Sequence, residues 1–187
     1  FVDLSQNSWQ QDQINWDNAQ FVRRYVADHP RPINSTKIYG AETHKRSDQG
    51  IPSIHSTRTF WPNIVGGFAS SRFHRPPSGL GLSEQAQAHI RSARMLADIF
   101  DFVNAEPDTD SQLLQNRQPD QTYLARVPGR QYAVYFTDGG TVGLDLSDTS
   151  GTFTLRWLDI LRSDWAAVIR VEGGEMVSLK APGAGHW

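Results

Sequence analysis

The periodicity of the chain changes once, between Glu106 and Asp120, and this change constrains the fold more than any other feature. Before it, apolar stripes at helical spacing separate short strand-like runs. The clearest stripe predicts a helix over 83–103. Ala86, Ile90, Ala93, Ala97 and Phe100 recur three or four residues apart, and Leu96 and Ile99 widen the face. Ser83 is placed to cap it, with Glu84 in its first turn, and Pro107 ends it. Two earlier stripes, at 16–27 and 57–67, lie between runs at 1–4, 31–38 and 69–73 that read as strands.

After the change, helical spacing disappears. Segments at 122–127, 131–137, 141–146, 152–158, 167–171 and 176–180 are short, alternating and rich in β-branched or aromatic residues. Turns rich in Gly, Asp, Ser and Pro separate them, such as Pro128-Gly129, Asp138-Gly139-Gly140 and Gly173-Gly174. Repeated βα units imply parallel strands covered by helices, because parallel neighbours need long crossovers. The expected class is therefore α/β plus all-β: an α/β region over 1–110 and a small antiparallel β-sandwich over 117–187, with an Asp-, Gln-, Asn- and Pro-rich stretch between them that reads as a domain linker or as a strap along the α/β region. Trp157, Trp165 and Trp187 are expected to fill the core of the second region.

At 187 residues the chain can form one good core or two small ones, and six Trp and nine Phe offer large areas to bury. A net charge of −2 leaves no electrostatic footprint for nucleic acid or an anionic membrane, so neither is expected as a partner. With no cysteine there is no disulfide framework and no Cys-based metal site. That composition suits the cytoplasm and a secreted or periplasmic bacterial protein equally. No run reaches the length of a membrane span, and no signal peptide precedes the first strand. Because Phe1 already lies in an apolar run, the chain reads as part of something longer.

Chemistry-bearing residues collect where the predicted parallel strands end. The stretch 31–44, RPINSTKIYGAETH, begins as a buried strand and runs into Asn34, Lys37, Tyr39, Glu42 and His44. Asp3 follows the first strand, and His74 and Arg75 follow the third. In (β/α) architectures these loop positions carry the chemistry while the strands pack. Glycoside hydrolysis usually needs two carboxylates roughly 5 to 10 Å apart, and Glu42 and Asp3 are the two in this band. Trp9, Tyr39, Trp61 and Phe73 fall near the same rim and are candidates to stack on a sugar; aromatics at such spacing more often serve as core. The expected ligand is a glycan or another small polar molecule, bound by Asn34, Lys37, Tyr39, His74, Arg75 and Trp9. His44, His55 and His74 lack ligand-like spacing, and neither a glycine-rich phosphate loop nor a nucleophile elbow is present, so no metal or cofactor is expected.

The segments FVDLSQN, HPRPINSTKIYG, FWPNIVGGFASSRFHRP, LGLSEQAQAHIRSARML, YAVYFTDGGTVGLDLSDTSGTFTLRWLD and LKAPGAGHW together resemble the C-terminal part of apiosidase-like glycoside hydrolases. The resemblance covers nearly the whole chain. It implies the last three strands of a (β/α)8 barrel, a partial barrel, followed by a small β domain of the collagen-binding type. It also implies a glycosidase whose catalytic glutamate follows the penultimate strand in a motif N-G-E-P-x-Y-E. Asn34 and Tyr39 fit that motif, whereas Thr36 and Gly40 stand at its glutamate positions, leaving Glu42 just beyond. A few strands cannot close an eight-stranded barrel. Such a partial barrel is expected to leave apolar sheet surface that another copy or its own β region covers.

Overall fold

The computed structural model describes residues 1–4, 12–39, 54–74, 80–110 and 112–187. The first region is a parallel sheet of order β1–β2–β3, with β1 at Val2–Asp3, β2 at Ile33–Ile38 and β3 at Ser70–Phe73. Helix α1 (Asp12–Tyr25) connects β1 to β2, and α2 (Ile54–Val65) connects β2 to β3. The register sets Asp3 beside Asn34 and Asn34 beside Ser70. Pro30 and Pro32 stop the chain from continuing α1 into β2.

Helix α2 is central rather than peripheral. His55, Ser56, Thr57, Thr59, Phe60, Trp61, Asn63 and Val65 are all buried, so the helix is enclosed on every side. Its polar side faces other protein groups: Asn63 accepts from Asn15 of α1 at 2.8 Å and donates to Ser71 of β3 at 3.2 Å.

Helix α3 (Glu84–Ala97) is capped by Ser83, whose hydroxyl accepts from the Ala86 amide at 3.1 Å. It ends six residues before the expected Val103. The chain turns instead through Asp101, whose carboxylate takes hydrogen bonds from the backbone and side chain of Asn104, and Val103 is 92% exposed. The buried face also differs from the aliphatic stripe. Ala86, Ala88, His89 and Ser92 are buried, while Ile90 is 43% exposed. Small side chains let α3 approach another backbone closely. Ser92 Oγ donates to the Ile160 carbonyl at 2.7 Å, and Ser163 Oγ donates to the Ala88 carbonyl at 3.1 Å.

The remaining strands are antiparallel to their neighbours. Two short ones lie within the stretch expected to be a linker: β4 (Glu106–Pro107) pairs with β6 (Thr122–Val127), and β5 (Leu114–Gln115) pairs with β8 (Thr141–Asp145). Strand β7 (Gln131–Phe136) forms a hairpin with β6, β9 (Thr152–Asp159) forms one with β10 (Asp164–Glu172), and β11 (Met176–Lys180) pairs with β8. Strand β10 starts before the expected 167 because a bulge between Trp165 and Val168 hides the alternation there.

The β6–β7 hairpin is shared by two cores. Tyr123, Ala125, Val127, Ala133 and Tyr135 pack on Trp16, Phe60, Trp61, Val65 and Phe100 from the helical layer. Leu124 and Phe136 point the other way, onto Leu114, Val142, Leu144, Leu146, Trp157, Val177 and Leu179. Aromatic pairs stitch the first contact, with Trp61 stacked on Tyr135 at 6.0 Å and Trp16 tilted against Tyr123 at 5.1 Å. The helical region thus lies against its own β region, as one of the two expected arrangements requires. Of the three tryptophans expected in the β core, Trp157 is buried and Trp187 packs edge-on against it at 6.5 Å; Trp165 is half-buried beside the bulge.

Candidate functional site

Strand alternation gives the sheet two unlike faces. Ile33, Ser35, Ile38 and Phe73 are buried on the side covered by α1 and α2, and Ser71 on that side meets Asn63. Asp3, Asn34, Thr36, Ser70 and Arg72 occupy the open side. Among the described residues of that face the chemistry is polar, which corrects the expectation of an uncovered apolar sheet surface. Thr36 Oγ1 donates to Asp3 Oδ2 at 2.8 Å, and Ser70 Oγ donates to Asn34 Oδ1 at 3.0 Å.

The C-terminal ends of β2 and β3 bring Tyr39 and His74 together. The register pairs Ile38 with Phe73, so the next residue of each strand lies side by side. The rings stack with centroids 4.5 Å apart and planes inclined by 27°. Lys37 Nζ lies 5.2 Å from the Tyr39 centroid, within cation–π range. A shift in pairing between Ser35 and Ile38 makes this possible, since it inserts one residue and re-aims the end of β2. Both aromatic rings are half-buried, so each keeps surface for a ligand.

The sequence-derived site residues therefore separate into groups. Lys37, Tyr39 and His74 meet at the strand ends. Asn34 lies five residues back from Tyr39, roughly 16 Å along an extended strand, beside Asp3 and Ser70. Glu42, Arg75 and Trp9 lie outside the described residues. Of the histidine trio weighed for metal binding, His55 is buried in α2 and its pKa is lowered by burial, and His44 lies outside the described residues. Among the described residues no group of three or more His, Asp or Glu is placed to hold a metal ion.

A second set of titratable groups escaped the sequence reading. Between α2, α3 and the β6–β7 layer, His89 is fully buried; its Nδ1 accepts from the Trp61 indole at 3.3 Å and its Nε2 lies 2.9 Å from Thr57 Oγ1. An indole N–H only donates, so Nδ1 must be unprotonated and Nε2–H donates to Thr57. Burial, reinforced by nearby His186, holds the imidazole pKa down to about 3. Also on α2, Arg58 donates to Asp12 at 3.1 Å. Burial nevertheless pushes the Asp12 carboxyl up to about 7, because Arg58 reaches one oxygen and the other has no partner among the described residues. Tyr135 OH lies 3.3 Å from His186 Nδ1, and burial raises the pKa of both Tyr123 and Tyr135. The signal available in the sequence was a histidine inside a helical stripe, which is more often packing than chemistry.

A cavity of about 540 Å³ opens elsewhere, between β7 and β9. It lies away from the Tyr39–His74 pair and is walled mainly by apolar side chains.

No family model matches the chain, and no curated protein matches it. Among solved structures, a glycoside hydrolase superposes with a TM-score of 0.65 at 17% identity, over 100% of this chain and 48% of its own. A glycoside hydrolase family 5 protein from Bacteroides vulgatus ATCC 8482 superposes with a TM-score of 0.60 at 16% identity, over 100% of this chain and 46% of its own. The fold is glycoside-hydrolase-like. The chain spans about half the length of these structures, and both likenesses run through the parallel sheet and the antiparallel strands alike. Asp3 and Thr36 lie on the open face of the parallel sheet, and Tyr39 and His74 directly follow the C-terminal ends of β2 and β3. No helix among the described residues is long and apolar enough to cross a membrane.

Proposed function

We propose that this chain belongs to a carbohydrate-active protein of apiosidase-like type and engages a glycan at the C-terminal rim of its parallel sheet. The supporting observation is the Tyr39–His74 stack with Lys37 beside it. Flat aromatic surface next to hydrogen-bond donors suits a sugar, whose ring carries an apolar face and a polar edge. Asn34, Arg75 and Trp9 complete the proposed binding set. Hydrolysis would use Glu42 and Asp3 as the carboxylate pair. The β strands from residue 117 onward would form the small sandwich of collagen-binding type, buttressing the α/β region over 1–110.

A second reading, a non-catalytic binding module, is favoured by one contact. Thr36 stands where the resembled family places a glutamate, and its hydroxyl is bound to Asp3. The Asp3 carboxylate thereby serves a neighbour on its own sheet.

Binding and turnover separate the two. Isothermal titration against a panel of oligosaccharides is expected to find a ligand whose affinity falls roughly tenfold in Tyr39→Ala, the loss of one aromatic stacking surface. Affinity unchanged in Tyr39→Ala and Lys37→Ala alike would remove the rim from the function. Glycosidase activity abolished in Glu42→Gln and Asp3→Asn, with glycan affinity retained, would support catalysis. Binding with no turnover in the unmodified chain would support the module.

A further inference from the structure

The first turn of α1 is pinned to the turn before β6 by polar groups. Gln13 N–H donates to Asp120 Oδ1 at 2.8 Å, and the Arg117 guanidinium donates to the Gln13 side chain. Both partners are themselves held. Thr137 Oγ1 donates to the Asp120 carbonyl at 2.6 Å, and Arg117 Nε donates to the Thr122 carbonyl at 2.6 Å. Next to Gln13, Asp12 is only 3% exposed, and its carboxyl is bonded on one side: Arg58 of α2 meets Oδ2 at 3.1 Å, while Oδ1 is buried with no partner among the described residues.

Backbone and charge both leave this junction close to release. Asp12 has φ 49° and Asp120 has φ 60°, in the left-handed region that side chains larger than glycine enter at a cost, so the contacts around them must hold them there. The groups facing Asp12 are of mixed sign. Arg58 comes from α2, Asp120 from the turn before β6, and the Tyr123 and Tyr135 phenols from β6 and β7 lie within electrostatic reach of it. Asp17, on its own helix, accepts from Gln13 Nε2 at 2.7 Å. Arg58 is shared with His186, and its Nε has no partner among the described residues. One end-on contact must therefore offset both the burial of an ionised Asp12 and the like charge of Asp120. A neutral carboxyl faces neither cost.

We propose that Asp12 is a proton-operated latch: its neutral carboxyl lets the first turn of α1 stay docked on the turn before β6, and loss of the proton undocks that turn while the rest of the fold stays closed. Burial, with Asp120 adding to it and Arg58 opposing, pushes the docked carboxyl up to about 7 from its ordinary 3.8. Undocking thus releases a proton, so it becomes easier as the pH rises from about 4 to about 7 and no easier above that. The core answers with the opposite sign, because burial of neutral His89 favours the folded chain as the pH rises over the same interval.

Hydrogen exchange at two amides of the full chain tests this, each rate divided by its intrinsic rate at that pH. Gln13 N–H reports the latch. Gly66 N–H, which donates to the Pro62 carbonyl at 2.8 Å at the end of the buried α2, reports the core. From pH 4.5 to pH 6.5, protection of Gln13 is expected to fall at least tenfold, one released proton allowing about tenfold per pH unit. Protection of Gly66 is expected not to fall. In Asp12→Asn the fall at Gln13 disappears. In Asp120→Asn, which keeps an acceptor for Gln13 and removes the like charge, it levels off at a lower pH. Protection of Gln13 that holds or rises overturns the proposal, as does a parallel fall at Gly66 or the same fall in Asp12→Asn. Should Asp12→Asn not fold, a levelling point unchanged in Asp120→Asn overturns it.

Discussion

Trp61→Ala is expected to lower the free energy of unfolding by about 3–5 kcal/mol, the range for removing a large aromatic side chain from a core. Trp61 is 2% exposed on the central helix α2. Its indole stacks on Tyr135 of β7, meets Phe60 edge-on at 5.8 Å and donates to His89 of α3. One side chain thus joins the helical layer, the shared hairpin and a buried imidazole. It also lines the cavity beside β7, so its removal enlarges an existing void instead of opening one that neighbours could refill. Trp61→Phe keeps most of the apolar contact but leaves His89 Nδ1 without its donor, for an expected loss of about 1–3 kcal/mol. Urea unfolding reports both values as shifts in midpoint at constant slope. A loss below 1 kcal/mol in Trp61→Ala would show that the two regions do not share a core through this residue. Two separate transitions in the unmodified chain would show the same.

How much of this was legible in the sequence depends on what periodicity can encode. The strands at Ile33–Ile38 and Ser70–Phe73 and the cap at Ser83 were readable because each is a local signal. The buried face of α3 was not. Ala88, His89 and Ser92 are small or polar, and they are inside because Ile160 and Ser163 approach them, a contact some 70 residues distant in the chain. Strands β4 and β5 were hidden by their length of two residues each and by a composition of Glu, Pro and Gln that resembles a linker. Two-sided burial of β6 did leave a trace: Tyr123-Leu124-Ala125 is a continuous apolar run, the mark of a strand covered on both faces. At the rim, the residue types of Lys37, Tyr39 and His74 were evident, but the irregular pairing that stacks two of them was not. Asn34 falls in the same short stretch of sequence, but it lies near the start of the six-residue strand β2, a distinction that sequence proximity does not encode.

The buried imidazole sets an acid limit on stability. The folded-state pKa of His89 is about 3, well below its ordinary value of 6.5, so the unfolded chain takes up the proton first as the pH falls. The stability this group contributes is complete above about pH 6.5 and is lost progressively toward pH 3. At pH 5 the loss from His89 alone is about 2 kcal/mol, at 1.36 kcal/mol for each pH unit below 6.5. Protonation would place a second N–H on Nδ1, facing the indole N–H that now donates to it. Burial lowers the pKa of His55 and His186 too, adding loss in the same direction. Asp12 acts oppositely. Its carboxyl is pushed up to about 7, so the folded state holds a proton that the unfolded state releases near pH 4, and its contribution falls as the pH rises from 4 to 7. Burial raises the Asp108 carboxyl as well, on the side of Asp12. Hydrogen bonds from Asn104 and Ser147 hold Asp101 and Asp145 below the usual carboxylate range, on the side of the histidines. Three histidines and two carboxylates act against two buried carboxyls, and the net expectation is a protein that weakens from pH 6.5 to pH 4. Urea midpoints across that interval check it. His89→Gln, whose amide can still meet Thr57, is expected to reduce the pH slope by about one proton, and Asp12→Asn to steepen it by removing an opposing group. An identical slope in His89→Gln and the unmodified chain would show that this histidine is not the neutral, buried link between α2 and α3.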